Sequence, residues 1–350
     1  MNDKVRLGYA CVNMTLTNPP KRSGLERVTT SRTARLATWK ASCLKLLGHL
    51  ALQNACDLYQ YLEWNEAHDI RLFRIGSELF PWHDHYELKD LPQYDEIREI
   101  LQECGRYARE HGHRLTTHPG PYHVLGSLNP KVVEKTIIGL ERHSEMFDLL
   151  GFEPSYENKI NIHVGSAADG HHNVAARWIK NYYRLSDRCR ARLVLENDDK
   201  ASLYSLRLLY ELFFEKTNIP LTFDYHHHQF CTGDLTPEQA CKLAAETWPK
   251  DVRQAVHYSE SRREELQRTL TEFYANHGMS TDDLSEDSQY SKIYAEYNKV
   301  KAQAHSDYII NPIDNFGLEL DVMIEAKAKE LALLQYRENF SEKVLLCEAV

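Results

Sequence analysis

KINIHVG, residues 159–165, sets a short apolar run against a glycine, and a histidine stands where the run ends. The same construction recurs in ARLVLENDD (191–199), which ends at Glu196, and in RLTTHPG (114–120), which ends at His118. Short runs rich in branched residues and bounded by Gly, Pro or Asp read as strands. Toward the N-terminus the pattern extends to VRLGYACVN (5–13) and DIRLFRIGS (69–77). Toward the C-terminus it extends to IPLTFDYHH (219–227), VRQAVHYS (252–259) and LDVMIEA (320–326). Longer stretches with helical patterning separate these runs. One contains Leu44, Leu47, Leu50, Leu52 and Leu58; others cover 93–111, 130–150, 201–216 and AKAKELALLQY at 327–337. Eight strands alternating with helices predict an α/β fold with a parallel sheet, whose closed form is the TIM (β/α)8 barrel. Counting strands leaves a doubly wound open sheet as the alternative.

The 350 residues exceed the roughly 250 that one such barrel needs, leaving room for insertions. Residues 260–304, between strands seven and eight, are polar and helix-prone and carry the acidic run DDLSED (282–287). They read as a partly helical surface insertion. No internal repeat or low-complexity linker divides the chain. We therefore expect a single barrel domain over 1–337, with 338–350 as a peripheral tail.

Composition narrows the class further. No run approaches the roughly 18 apolar residues of a membrane span, and the N-terminus MNDKVRLGYACVN lacks the apolar core of a secretory signal. An intracellular, cytoplasmic location is expected. The eight cysteines are scattered without a CxxC pair, which reads as free, mostly buried thiols and argues against a cysteine zinc site. The net charge of −9 argues against indiscriminate nucleic-acid binding, although phosphate contacts are made by local patches. One such segment holds Lys21, Arg22, Arg27, Arg32, Arg35, Lys40 and Lys45, opposed only by Glu26.

The chemistry lies in what ends each strand: His118, His163, Glu196, Asp224 with the histidines after it, His257 and Glu325. In a barrel the C-terminal strand ends meet on one face, so these residues converge. A single strand-end histidine or carboxylate is commonly structural. Six consecutive strands ending in metal-ligating types are a different matter, because clustered carboxylates are costly to bury without a cation. Nitrogen and oxygen donors without sulfur suit Mn²⁺ or Zn²⁺. The donors are too many for one tetrahedral ion, so two or three divalent ions are expected, Mn²⁺ first, with Zn²⁺ or Mg²⁺ as alternatives. Such clusters suit phosphodiester hydrolysis. Periodicity leaves His226, His227 and His228 unresolved: a continuing strand aims His226 and His228 inward, whereas a turn after Asp224 aims His227 inward.

Nine motifs in order carry a resemblance: GYACVN, FRIGSELFPWHDH (73–85), THPGPYHVLGS (117–127), INIHVG (160–165), LVLENDD (193–199), FDYHHHQ (223–229), VHYSE (256–260), AHSDYI (304–309) and DVMIEAKAKE (321–330). Together, from about residue 5 to 335, they resemble the UV damage endonucleases, a family similar in fold to endonuclease IV. The resemblance implies a metal cluster held by His118, His163, Glu196, Asp224, His227, His257 and Glu325. It favours His227 within the triplet, and adds His85, in preference to His83, and His305 as further ligands or near neighbours. It implies that Tyr9 and Asn13 lie on a DNA-facing rim and that Tyr122 belongs to a loop probing the duplex. It also implies incision immediately 5′ of cyclobutane dimers, 6-4 photoproducts or abasic sites, with double-stranded DNA bearing the lesion as partner and a monomer as the working unit. Arg22, Arg32 and Arg35 would hold backbone phosphates.

Two departures stand out. Many members carry glutamine before the probing tyrosine, where this chain has Pro121, and some use a modified lysine as an extra ligand, where this chain has Ala255. A cluster completed by water or by fewer ligands is expected. The rival readings are a metal-dependent sugar isomerase on the same architecture and a damage-binding protein without catalysis.

Overall fold

The computed structural model describes residues 4–21, 24, 26–277 and 289–347. Eight strands close in sequence order into one parallel barrel. They are β1 (Val5–Ala10), β2 (Leu72–Ile75), β3 (Arg114–Thr117), β4 (Ile160–Ile162), β5 (Leu193–Glu196), β6 (Leu221–Asp224), β7 (Gln254–Tyr258) and β8 (Leu320–Ile324). All eight fall inside the runs read from the sequence. Closure is made by β1 against β8, from Val5 opposite Leu320 to Tyr9 opposite Ile324. The open sheet is thereby excluded.

The barrel closes because successive side chains of a strand point to opposite faces. The outward residues pack under helices, in a core that includes Leu58, Leu101, Leu140, Phe147, Trp178 and Phe213. The helices Leu36–Ala67, Tyr94–Glu110 and Pro130–Leu149 cover the first half. His171–Tyr182, 206–217 and Pro237–Ala245 cover the second half. Their starts are written locally. Asn129 accepts from the Lys131 amide ahead of Pro130, and Thr236 with Gln239 forms a capping box ahead of Pro237. Gly105 lets its helix touch the chain at Leu150, since a Cβ there would stand 1.7 Å from the Leu150 carbonyl oxygen.

Two boundaries differ from expectation. The helix expected over 201–216 begins at Leu206, because Ser205 caps it and residues 201–203 form a turn. The closing helix runs Glu330–Cys347, past the expected end at 337, so residues 338–347 continue it. The insertion holds two helices, Arg262–His277 and Gln289–Tyr297. The acidic run 282–287 lies outside the described residues. No helix among the described residues is long and apolar enough to cross a membrane. Cys104, Cys189, Cys231 and Cys241 are buried free thiols, as read.

The barrel floor is polar. Asp321, fully buried on β8, pairs with Arg6 of β1 and with Arg114 of β3 at 2.7 Å. The floor ties the first and last strands together, while the opposite mouth is free for chemistry.

Candidate metal centre

At the C-terminal mouth three groups of potential ligands form: His118–Glu196–His257, His163–Glu196–His227 and Asp224–His257–Glu325. Within each, one donor atom per residue lies within 4.8 Å of the others. All seven expected ligands are there. Glu196 belongs to two groups and His257 to two, so the groups form one connected cluster.

Local structure explains each placement. His118 and His163 follow the last residues of β3 and β4, and Glu196 and Asp224 end β5 and β6. Asp224 also caps the helical turn Tyr225–His228, accepting from the His227 amide at 2.7 Å. That turn resolves the triplet. It swings His227 back over the cluster, 3.3 Å from Glu196 Oε1, while His226 packs against Phe230 and His228 lies 3.1 Å from the Leu235 carbonyl oxygen.

The donor atoms crowd as a cation site requires. His118 Nδ1 donates to the Pro119 carbonyl at 3.0 Å, which leaves Nε2 with its lone pair 3.2 Å from Glu196 Oε2. His257 Nδ1 stands 3.1 Å from both Glu196 Oε2 and Glu325 Oε1 without the alignment of a hydrogen bond to either. Asp224 Oδ2 is likewise buried without a hydrogen-bond partner, while His163 turns Nδ1 to Asp198 at 3.3 Å and Nε2 toward Glu196 at 3.8 Å. Buried polar atoms are ordinarily paired. Orphans converging from His257 and Asp224 therefore fit divalent cations, and the all-nitrogen-and-oxygen donor set fits Mn²⁺, Zn²⁺ or Mg²⁺.

The electrostatics point the same way. Burial pushes the Asp224 carboxyl up to about 7, partly opposed by His227. Burial pulls His257 down to about 4 despite Glu196. Burial also opposes charge on His163, but Glu196 and Asp198 together lift it to about 10. Glu196 is held well below the usual carboxylate range: burial works against its charge, and His257 and His163 outweigh burial. Buried groups displaced in opposite directions within one shell are common where chemistry is done.

The other expected residues are distributed differently. His305 adjoins the cluster, its Nδ1 donating to the Glu325 carbonyl at 3.0 Å and lying 3.9 Å from Glu325 Oε2. His85 sits in the short turn His83–His85, 3.6 Å from Asp84 and edge-on to Trp82, and joins none of the three groups. Tyr9 and Asn13 are not on a rim. Both are fully buried, and Tyr9 Oη donates to Asn65 at 2.8 Å and accepts from Asn13 at 3.0 Å, because the β1 tyrosine points outward into the helical layer. Tyr122 is 59% exposed on the loop after His118, packed over Gly120 and 4.6 Å from the His123 ring. Pro121 lines a cleft of about 300 Å³ together with His118, His163, Asp198, Lys200 and His227.

Of the basic segment, Arg22 lies outside the described residues. Arg32 is turned inward: it pairs with Asp57 and donates to the Thr29 and Arg27 carbonyls, which makes it a staple of its own loop. Arg35 is exposed just before the helix Leu36–Ala67.

Sequence reading passed over the partners beneath the ligands. Arg74 of β2 pairs with Glu325, and Asn161 of β4 donates to Glu196. Asn197 brackets the Asp224 backbone, accepting from its amide at 2.8 Å and donating to its carbonyl at 3.1 Å. Lys159, pulled by burial down to about 7, lies 3.0 Å from His257 Nε2. The signal was the period-two alternation of K-I-N-I-H, which puts 159, 161 and 163 on one face. Ala255 faces the interior in the same way, against Val194, Trp248 and Val252, since its neighbour Gln254 turns outward to Cys241.

Fold and site thus define a TIM-barrel protein with a candidate metal centre at the C-terminal face of the barrel. The family model for UV-endonuclease UvdE matches residues 5–347, and the chain belongs to that family. The UV-damage endonuclease of Schizosaccharomyces pombe is 34% identical over 342 residues, covering 94% of this chain and 50% of that protein. That of Neurospora crassa is 36% identical over 304 residues, covering 73% and 44%. The chain therefore spans about half the length of these fungal relatives. The crystal structure of SacUVDE superposes with a TM-score of 0.73 at 27% identity, covering 97% of this chain and 98% of that one. Endonuclease IV from Thermus thermophilus shares the fold, with a TM-score of 0.50 at 15% identity, covering 81% of this chain and 94% of that one.

Proposed function

We propose that this protein is a divalent-metal-dependent endonuclease that nicks duplex DNA immediately 5′ of UV photoproducts, including cyclobutane dimers and 6-4 photoproducts, and of abasic sites. The observation that carries the reading is the connected ligand cluster, in which Glu196 and His257 are each shared between two groups. Family membership supports it. So do the names of the relatives, each a UV-damage endonuclease.

The residues that would hold the ions are His118, His163, Glu196, Asp224, His227, His257 and Glu325, with His305 beside them. Bound there, Mn²⁺ first and Zn²⁺ or Mg²⁺ as alternatives, the ions supply an activated water and charge neutralisation at the attacked phosphate. The chain's own contribution is to keep the donor atoms fixed. Pro119 orients His118, Asn161 holds Glu196, and Arg74 holds Glu325. The cleft lined by His118, His163 and His227 would receive the scissile phosphate. Tyr122 and Pro121 at its lip present an aromatic and a stiff apolar surface to the duplex. A dimer of adjacent pyrimidines stacks and pairs poorly and is cheaper to displace than normal bases, so a wedge of this kind selects for deformability. Arg35, exposed like Lys21, Arg27 and Lys45 of the basic segment, would meet a backbone phosphate.

The test is an end-labelled duplex bearing one thymine dimer, incubated with and without Mn²⁺. Metal-dependent nicking 5′ of the dimer is expected. Binding without nicking would favour a damage sensor without catalysis, and neither would sink the reading.

A further inference from the structure

Lys159 opens the KINIHVG stretch and precedes β4, on the same inward face as Asn161 and His163. It is 1% exposed. Its Nζ contacts three uncharged groups: Asn161 Oδ1 at 2.8 Å, Thr222 Oγ1 at 3.4 Å and His257 Nε2 at 3.0 Å. A lysine in the centre of a barrel is a costly residue, and an apolar side chain of equal length would fill the same space. What distinguishes the position is where its contacts lead. Asn161 passes directly to Glu196. The far nitrogen of His257, Nδ1, faces Glu196 and Glu325 at 3.1 Å each. Glu196 and His257 are the two residues through which the three ligand groups are joined.

We propose that Lys159 is a positioning residue of the metal centre, bracing from beneath the two side chains that the ligand groups share. The inference rests on the metal-centre reading above. The partner of an imidazole's rear nitrogen decides which nitrogen offers a lone pair forward: with Nδ1 facing the carboxylates, His257 Nε2–H donates to the Lys159 amine, whose own hydrogens go to Asn161 and Thr222. Here the rear partner comes across the barrel from β4. The residue two places before His257 on its own strand, Ala255, offers only a methyl group.

The experiment uses the full chain without DNA and titrates it calorimetrically with Mn²⁺ alone and with Zn²⁺ alone. Lys159→Met should weaken ion binding by about 10–100-fold, the usual cost of losing a partner behind a ligand. The thermal midpoint of the metal-free protein should stay the same or rise, because a buried polar tip has been removed. A role in packing alone would lower that midpoint and leave ion affinity unchanged. In a His257→Ala background the same substitution should have at most a small further effect, since the two residues act in series. Lys159→Gln supplies the same comparison if the methionine variant does not fold. Ion affinity within twofold of wild type overturns the assignment, as does an equal loss in both backgrounds. Wild-type protein that binds neither ion would instead overturn the metal-centre reading itself.

Discussion

Glu196 is approached by five side chains, His118, His163, His227, His257 and Asn161, all within 3.8 Å. Replacing it with glutamine keeps the shape and removes the charge shared by two ligand groups. We expect Glu196→Gln to abolish Mn²⁺ binding in calorimetry and to cut nicking by at least about 100-fold. Retention of both would remove Glu196 from the centre. Tyr9 tests a different point. Its hydroxyl is buried between Asn65 and Asn13, so Tyr9→Phe should cost about 1–2 kcal/mol in denaturant unfolding and leave DNA affinity unchanged. Weakened DNA binding at intact stability would restore it to a rim. At this scale the candidate ligands at the strand ends were legible, because strand ends carry their own punctuation. The outward turn of Tyr9 was not, because a β1 tyrosine is equally compatible with either face until the register against β2 and β8 is known.

Helix ends and strand starts are clasped by ion pairs. Glu66, in the last turn of the helix Leu36–Ala67, accepts from Arg71 at 3.0 Å, just before β2, and lies 2.8 Å from His113 Nε2, just before β3. The Arg71 hydrogen bond, aided by His113, draws its carboxyl down to about 2 against the smaller effect of burial. A carboxylate lowered on folding stabilises the native state above its ordinary value near 4.5, and that stability is lost as pH falls through the folded value. Glu66→Gln should therefore lower stability by about 1 kcal/mol at neutral pH, since solvent screens the partly exposed pair. It should also flatten the decline between pH 4.5 and 2 in acid melts; an unchanged acid limb would exclude the clasp. The loop before the same helix separates two arginines that sequence treated alike. Arg35→Glu should weaken binding to a lesion-bearing duplex and reduce its salt dependence. Arg32→Glu, by breaking the Asp57 pair, should act first on stability. Equal effects of the two on DNA affinity would show that Arg32 also faces the phosphates.

The molecule as a whole divides its polar interior between two ends. At the floor, Asp321 pairs with Arg6 and Arg114; at the mouth, the ligand cluster gathers. Glu325 lies four positions beyond Asp321, just past the end of β8 and about 13 Å away along an extended strand. Asp321→Asn takes from Arg114 its buried charge partner and leaves it only the half-exposed Glu157 at 3.1 Å, and should cost about 3–5 kcal/mol. Ion stoichiometry in calorimetry should remain that of the wild type. Lost ion binding at intact stability would show the two ends to be coupled. Saturating Mn²⁺ should raise the melting temperature of both proteins, because a ligand held only by the native state stabilises it by mass action.

The sequence by itself determined where the eight strands fall and which candidate ligands end six of them. Those follow from local information: branched apolar runs, their lengths, and the residue that ends each one. Motifs in order likewise carried the family. Only the tertiary structure decided that His227 turns over the cluster, since that needs the cap made by Asp224. Only it decided that Tyr9, Asn13 and Arg32 are engaged by the packed layer around the barrel, and that Lys159 reaches from just before β4 to stand behind His257. The physical reason is common to all of these. A side chain's role in the interior is fixed by which neighbouring strand or helix supplies its partner, and that is a property of register and closure.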